Sequence, residues 1–99
     1  MVYVLVTFLE NPKESEALDE YRKRAKKIRD QYGVETVLRL NANERLIGNF
    51  EEESIRILKF PSAQHVKDWL SDPRYQEIVS LREKGYRKVT LTILDEVIT

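Results

Sequence analysis

Residues 2–9 form a run of apolar and aromatic residues in which both sides of an extended chain are hydrophobic. One side carries valine at alternate positions, and the other carries Tyr3, Leu5 and Leu9. Successive side chains of a strand point to opposite faces of a sheet, and Pro12 ends the run because proline lacks the N–H that a strand needs. The pattern predicts a first strand whose two faces both need cover.

Residues 13–32 repeat apolar positions every three or four residues on a charged background, which is the period of an amphipathic helix. Acidic residues come early and basic residues late, as the helix dipole favours. Gly33 follows as a typical C-terminal stop. The apolar stripe consists of Leu18, Tyr21, Ala25, Ile28 and Tyr32.

Three further segments have the composition and alternation of strands. Residues 34–40 and 54–60 are predicted to be the second and third strands, and residues 87–97 the fourth. The polar stretch NANERLIGNFEEES is predicted to connect the second and third strands and could pair in part as a hairpin.

A helical segment in two pieces is predicted between the third and fourth strands. Ser62, after Pro61, is a good N-cap, and the dipeptide Asp72-Pro73 interrupts the helix. Residues 74–84 then form a second short piece, which Gly85 ends. The apolar stripe of the first piece consists of Ala63, Val66, Trp69 and Leu70.

The order strand, helix, strand, strand, helix, strand is the split βαβ pattern of ferredoxin-like domains. It predicts an α+β fold with a four-stranded antiparallel sheet and both helices on one face. The second apolar side of the first strand then needs another partner, and symmetric homodimers are the commonest oligomers. We therefore predict a homodimer whose two sheets face each other around an interior space.

Composition narrows the classes of partner. The 99 residues predict a single domain over residues 1–99. Seventeen basic residues balance seventeen acidic ones, so no net charge attracts nucleic acid or an anionic membrane. The absence of cysteine excludes disulfides and thiolate chemistry. The apolar run at residues 2–9 is too short to span a bilayer and lacks the features of a signal peptide, so a cytoplasmic location is expected.

The segment SIRILKFPSAQHVKDWLSDPRYQEIVSLREKGY resembles the DUF1330 family of the dimeric α/β barrel superfamily. The resemblance extends over nearly the whole chain. In the second half it rests on Phe60, Pro61, Ser62, Trp69, Pro73, Tyr75, Leu81 and Arg82, and in the first half on Tyr3, Tyr21, Tyr32, Gly33 and Arg39.

This resemblance implies a ferredoxin-like dimeric α/β barrel. It does not imply an activity, because the family label denotes unknown function. Wider relatives in the superfamily include haem-degrading and cofactor-free monooxygenases, isomerases and small-ligand sensors, and a shared fold does not choose among them.

His65 and Trp69 are one helical turn apart and would share a helix face. A haem site would use His65 as the axial ligand, but no second signature accompanies it, and a partly exposed histidine beside a core tryptophan is the favoured interpretation. No metal or cofactor is predicted. Trp69 and Tyr75 are interpreted mainly as packing residues that could also stand at the mouth of a pocket.

Arg39 and Arg56 lie in predicted strands, where an arginine must reach water or find an anion. If their sheet face lines the dimer interior, they could bind a small carboxylate or enolate; the alternative is an ion pair with Glu35 or with the acidic run at residues 51–53. Arg82 could cap helical carbonyls or hold a carboxylate. The hydroxyls of Tyr3, Thr7, Thr90 and Thr92 could point into the same interior.

Two function classes follow. The first is a homodimer that binds a small organic acid or hydrophobic metabolite between its sheets, with Tyr3, Arg39, Arg56, His65, Trp69, Tyr75 and Arg82 as candidate ligand-binding residues. The alternative is a cofactor-independent monooxygenase or isomerase. The sequence contains no catalytic triad pattern, Gly-rich phosphate loop or metal-spaced histidine set, so no catalytic residue is predicted.

Overall fold

The computed structural model describes residues 1–98. Within them, none of the helices has the length and hydrophobicity of a bilayer-spanning segment. Short 3-10 turns precede and follow the first helix. The other elements, in chain order, are β1 (Val2–Glu10), α1 (Ser15–Arg29), β2 (Glu35–Asn41), β3 (Ser54–Phe60), α2 (Ala63–Ser71), α3 (Pro73–Gln76), α4 (Val79–Gly85) and β4 (Tyr86–Leu94).

The strands of the described chain form one antiparallel sheet in the order β2-β3-β1-β4. β1 is central and pairs with β3 on one side and with β4 on the other, whereas β2 lies at an edge. Non-consecutive strands are thus neighbours, as in the ferredoxin-like βαββαβ topology. The predicted α+β fold class is confirmed.

The two faces of the sheet have different surroundings. Helices cover the face that carries Val4, Leu58 and Phe60, and these side chains are at most 2% exposed. On the opposite face, Tyr3 is 46% exposed and Leu38 is 49% exposed. We call the first the covered face and the second the open face. The prediction that helices cover only one face is confirmed.

Side chains of residues before the helices set where α2 and α3 begin. The hydroxyl of Ser62 accepts a hydrogen bond from the backbone N–H of His65 at 3.2 Å, as expected of an N-cap serine. The carboxylate of Asp72 accepts a bond from the N–H of Arg74 at 2.9 Å, and Pro73 occupies the first turn of α3, where its missing N–H costs nothing. The predicted break at Asp72-Pro73 is therefore confirmed.

Asp72 also joins two parts of the helical layer. The hydroxyl of Tyr32, just after α1, donates to the Asp72 carboxylate at 2.7 Å, and the Arg74 guanidinium donates to both of its oxygens at 3.0 and 2.7 Å. The bonds from Arg74 and Tyr32 hold the pKa of the Asp72 carboxyl well below its usual range. This cluster fixes the α2–α3 junction to the end of α1.

Two glycines permit close turns and contacts. Gly33 has a φ of +74°, a left-handed conformation that glycine adopts without strain, and it turns the chain from the helical layer into β2. Gly85, at the end of α4, lies against α1, and a Cβ added there would come within 2.9 Å of the Leu18 Cα. A larger residue would separate α1 from α4.

β2 contains one residue more than the segment of β3 that it pairs with. Thr36 and Leu38 oppose consecutive residues of β3, so Val37 is a bulge between them. Because side chains alternate along a strand, the extra residue exchanges the faces for everything that follows it. It brings Arg39 opposite Arg56 on the covered face.

Some predicted boundaries differ from the structure. The helix predicted at residues 13–32 is α1 with a 3-10 turn at each end. The piece predicted at residues 74–84 is divided into α3 and α4, because Ile78 between them has a non-helical backbone. The strand predicted at residues 87–97 begins at Tyr86 and ends at Leu94, which pairs with Tyr3 near the start of its antiparallel partner β1.

The connection between β2 and β3 has little of the predicted hairpin pairing. A backbone bond joins the N–H of Ala42 to the carbonyl of Glu53 at 2.8 Å. Beyond it, the side chain of Arg45 donates to the backbone oxygens of Phe50 and Glu52, each at 3.1 Å. The loop is therefore held by side-chain contacts more than by a strand ladder.

Candidate functional site

A cleft of about 590 Å³ lies between the covered face of the sheet and the helices. This volume is typical of sites for small organic ligands. Its basic lining residues are Arg22, Lys26, Arg29, Arg39, Arg56 and Arg82, and its aromatic lining residues are Phe8, Tyr21, Trp69, Tyr75 and Tyr86.

Two arginines stand side by side on the floor of the cleft. Arg39 of β2 and Arg56 of β3 are direct cross-strand partners. The Arg56 guanidinium carbon lies 5.1 Å from the centre of the Phe8 ring, and the guanidinium donates to the backbone carbonyl of Ile55 at 2.9 Å. Burial, together with the charges of Arg39 and Arg22, lowers the pKa of Arg56.

No carboxylate of residues 1–98 lies within ion-pair distance of Arg39 or Arg56. Glu51 and Glu52 instead pair with Lys88 of β4, at 3.2 and 2.9 Å, and the bond to Lys88 lowers the pKa of Glu52. The predicted alternative, an ion pair between these arginines and the nearby acidic residues, is therefore not what the structure shows.

Helix α1 supplies further basic side chains on the wall of the cleft. Arg22 donates to the Glu10 carboxylate, and its guanidinium carbon lies 5.5 Å from the Phe8 ring centre and 5.9 Å from that of Tyr86. Burial acts to lower the pKa of Arg22, but Glu10 and Tyr86 together outweigh it and the pKa is raised. Burial lowers the pKa of Arg29, and the buried Nε of Arg29 has no hydrogen-bond partner in the described part of the chain.

Two tyrosines and an arginine form a hydrogen-bonded chain beside the cleft. The hydroxyls of Tyr21 and Tyr75 are 2.8 Å apart, and the Arg82 guanidinium donates to the Tyr75 oxygen at 3.2 Å. Burial, followed by the neighbouring Tyr75, raises the pKa of Tyr21 far above its ordinary value. Tyr21 is therefore a neutral hydroxyl at physiological pH and can serve as a hydrogen-bond donor.

Trp69 closes one end of the cleft. Its ring stacks on Phe60 with centroids 5.9 Å apart and packs at a tilt against Tyr75 at 4.9 Å, and it is only 3% exposed. Within residues 1–98 its buried Nε1 has no hydrogen-bond partner. Trp69 is thus a packing residue, as predicted, that also lines the cleft.

The cleft carries an excess of positive charge. Among its lining residues, as far as the chain is described, Glu10 is the carboxylate that faces the six basic groups. Over the same residues, no group of three or more acidic or histidine side chains is arranged to hold a metal ion. Guanidinium groups bind carboxylates and phosphates through paired, charge-assisted hydrogen bonds, so the arrangement is suited to an organic anion.

Five of the seven predicted site residues surround this cleft: Arg39, Arg56, Trp69, Tyr75 and Arg82. Their location differs from the expected one. They lie between the sheet and its own helices, whereas the sequence led us to expect a site between the sheets of two subunits. There are two physical reasons. The Val37 bulge turns Arg39 to the covered face, and the alternation of side chains along β3 puts Arg56 on that face as well.

Tyr3 and His65 are not part of the cleft. Tyr3 lies on the open face, where it pairs in register with Lys59 and Leu94. His65 is exposed near the start of α2, and its Nδ1 is 2.7 Å from the Ser62 hydroxyl. The structure therefore separates His65 from the residues that it was predicted to join, and it gives a haem ligand no support.

Among the lining residues that were not predicted as site residues, four carry a phenol or guanidinium group: Tyr21, Arg22, Arg29 and Tyr86. Three of them belong to α1, where basic residues are so numerous that those facing the sheet cannot be told from those facing water. The spacing of Arg22 and Arg29 along α1 is the signal that could have identified them. Arg22 and Arg29 are seven residues apart, two helical turns, and each directly follows a residue of the buried stripe.

Comparisons with solved structures agree with this fold. A protein of unknown function from Rhodopseudomonas palustris is 19% identical, with a TM-score of 0.82 over 99% of this chain and 83% of that chain. A DABB family protein with a ferredoxin-like fold from Mesorhizobium loti is 15% identical, with a TM-score of 0.65 over 97% and 96% of the two chains. An antibiotic biosynthesis monooxygenase is 16% identical, with a TM-score of 0.62 over 99% and 100%. At these identities the likeness shows the fold alone.

The sequence comparisons give the family. A search of curated proteins finds no match. The family model described as "Domain of unknown function (DUF1330)" matches residues 1–97, which is nearly the whole chain. The chain therefore belongs to the DUF1330 family, as its motifs predicted.

Proposed function

We propose that this protein binds a small organic anion in the cleft between its sheet and its helices. The observation that carries the proposal is the excess of basic side chains around a cleft with apolar and aromatic walls. Buried or half-buried charges are costly when unpaired, and an anionic ligand would offset that cost. The apolar walls would bury the carbon skeleton of the ligand.

Tryptophan fluorescence provides a direct test, because Trp69 is the single tryptophan of the chain and lines the cleft. Aryl and alkyl carboxylates, with their neutral amides as matched controls, would be titrated at neutral pH and low salt. We expect the acids to change the emission with saturation and to raise the melting temperature, and the amides to do neither.

Charge-removing variants separate the cleft from general electrostatics. We expect the double variant Arg39→Gln/Arg56→Gln to lose at least about tenfold in affinity for any acid that binds, because each charge-assisted bond is worth about 1.5–3 kcal/mol. Lys27→Gln removes one positive charge from the outer side of α1 and should bind normally. Equal loss in the control, or no saturable binding by any acid, would refute the proposal.

We also propose that the protein is a homodimer formed through the open face. Support comes from exposed apolar side chains on that face, among them Tyr3, Leu38, Leu40 and Leu94 at 36–49% exposure, which a second copy would cover. Light scattering in line with gel filtration should give twice the 11.7 kDa mass of one chain. A monomer at micromolar concentration would refute it. A cytoplasmic location is proposed from the cysteine-free composition.

A second candidate function is cofactor-independent isomerase or monooxygenase chemistry. The favouring observation is the Tyr21–Tyr75–Arg82 chain, whose hydroxyl and guanidinium donors could stabilise a developing enolate oxygen. One structural neighbour is named as a monooxygenase. Proton NMR in deuterated water would detect exchange at the activated carbon of a bound keto acid. Loss of that exchange in Tyr75→Phe, with binding retained, is expected if the chain acts in catalysis.

A further inference from the structure

Three of the six basic side chains of the cleft lie close together. Arg39 and Arg56 are cross-strand partners, and the Arg22 and Arg56 guanidinium carbons lie 5.5 and 5.1 Å from the centre of the same Phe8 ring. Two guanidinium groups therefore meet at the Phe8 ring, and Arg39 lies next to one of them on the neighbouring strand. We call Arg22, Arg39 and Arg56 the head site.

Only part of this charge is neutralised by the described chain. Glu10 pairs with Arg22, while Arg39 and Arg56 have no carboxylate partner among residues 1–98. Like charges directly opposite each other on neighbouring strands repel. A ligand with a single negative charge would balance one of these two arginines and leave the other unbalanced.

Farther along β3, the sheet side of the cleft is apolar. Phe60 of β3 stacks beneath Trp69, and Arg56 lies four residues earlier on the same strand and the same face. At about 3.3 Å per residue, the head site is roughly 13 Å along β3 from the Trp69 end. Leu58 lies between them, and Leu70 of α2 adds to the apolar lining. The sheet side of the cleft therefore has a charged end and an apolar end, while Arg82 lies near the apolar end on the helical side, beside Tyr75.

We propose that the head site binds a dianionic group, such as a phosphate monoester or a dicarboxylate, and that the Trp69 end holds an apolar or aromatic tail. The inference rests on the proposed anion-binding function and specifies its ligand class. Two unneutralised guanidinium groups match two negative charges, and the planar donor fork of arginine suits both carboxylate pairs and phosphate oxygens.

The test compares probes that share one aryl tail and differ in head charge. Calorimetry at neutral pH would measure phenyl phosphate against methyl phenyl phosphate, and phthalate against benzoate. We expect each dianion to bind at least about tenfold more tightly than its monoanionic partner, which is the loss expected for one missing charge-assisted bond. Phenyl phosphate and phthalate together show whether the preference is for phosphate or for dianions in general.

The pH response gives an independent readout. A phosphate monoester gains its second charge near pH ~6, so the affinity for phenyl phosphate should rise from about pH 5 to 7. Besides its arginines, the head site faces Glu10 of β1, Lys26 of α1 and Tyr86 of β4. The permanently monoanionic methyl ester reports any response of these groups, and we expect its affinity to change much less.

Variants complete the assignment. Arg39→Gln should reduce the preference for dianions to about threefold or less, whereas Lys27→Gln should leave it unchanged. Equal affinity of dianions and monoanions for the wild-type protein would overturn this inference while leaving the anion-binding function in place. If neither benzoate nor phthalate nor the phosphates bind, both fail. A dianion preference that survives in Arg39→Gln/Arg56→Gln would also overturn the assignment to the head site.

Discussion

The covered face and the open face are built from the same four strands, yet each includes residues that its surroundings disfavour. β3 places Arg56 beside Leu58 on the covered face, and Ile55 and Ile57 on the open face. Arginine is rare beneath a helical layer, because burying a charge is costly. A contiguous apolar patch left uncovered on a sheet is also uncommon.

This comparison shows how a single chain can indicate two kinds of partner. An arginine beneath the helical layer favours a small counter-ion, because only a small molecule can enter the cleft. An apolar sheet face favours a protein partner, because a large surface is needed to cover it. The following predictions test whether the two faces have these separate roles.

The largest effect is expected on the open face. Ile57 lies between Leu5 of β1 and Leu38 of β2. In a dimer formed through this face, Ile57→Glu would bury a carboxylate from each subunit without a partner, which is strongly unfavourable. We expect the variant to be a folded monomer by light scattering and circular dichroism. A dimer of wild-type affinity would place the interface elsewhere, and Lys23→Glu on α1 is the control.

The covered face should respond through folding stability. Trp69→Ala removes a side chain that is 3% exposed, and we expect it to lower the free energy of unfolding by about 3–5 kcal/mol. Leu38→Ala on the open face should cost less than Trp69→Ala in urea titrations. Its cost should also grow with protein concentration, because Leu38 would act through the interface of the proposed dimer. Equal, concentration-independent costs for both variants would contradict the comparison.

Acid should weaken the helical layer through Asp72. Because bonding from Arg74 and Tyr32 depresses the folded pKa of this carboxyl, its contribution to stability is present above the unfolded value of about 3.9 and is lost as the pH falls below it. Asp72→Asn should be less stable than wild type at neutral pH, and the difference should shrink in acid. Thermal melts at several pH values would show this. Asp68→Asn, on the exposed side of α2, should show no such convergence.

The smallest effect concerns the cost of the arginine pair itself. Arg39→Gln relieves a cross-strand repulsion and should raise the stability of the ligand-free protein by about 0.2–1 kcal/mol at low salt. The gain should fade near 1 M salt, where the Debye length is about 3 Å. A loss of stability would mean that Arg39 makes a favourable contact. The measurement thus distinguishes a role of Arg39 in ligand binding from a role in folding.

Most of the fold could be predicted from the sequence. Local patterns were enough for the strands, for Gly33 and for the helix break at Asp72-Pro73, because each depends on neighbouring residues only. The end of β4 could not be predicted, since Asp95 to Val97 continue an acceptable pattern and the strand ends opposite the start of β1. The break between α3 and α4 at Ile78 could not be predicted either, because no proline or glycine marks it in the sequence.

The residues of the candidate site were predicted more successfully than its location in the fold. Arg39 and Arg56 were identified because charges in strands are unusual, and Arg82 because it stands in the Leu-Arg motif that resembles the family. Their position under the helices depends on the register between β2 and β3, and the alternation of either strand alone does not give that register. Arg22 and Arg29 were missed because α1 is rich in basic residues on all sides.

The bulge at Val37 has a consequence for how such a sequence can diverge. Deleting that one codon would leave the faces unchanged, because Thr36 and Leu38 would become consecutive residues and Arg39 would still lie opposite Arg56. A strand that kept every residue but paired without the bulge would instead turn Arg39 outward and Leu38 and Leu40 inward, removing a guanidinium from the cleft and two leucines from the open face at the same time. Family members that retain the residues of β2 without the bulge are therefore expected to differ in both ligand and assembly, whereas members that lack one codon here are expected to keep both.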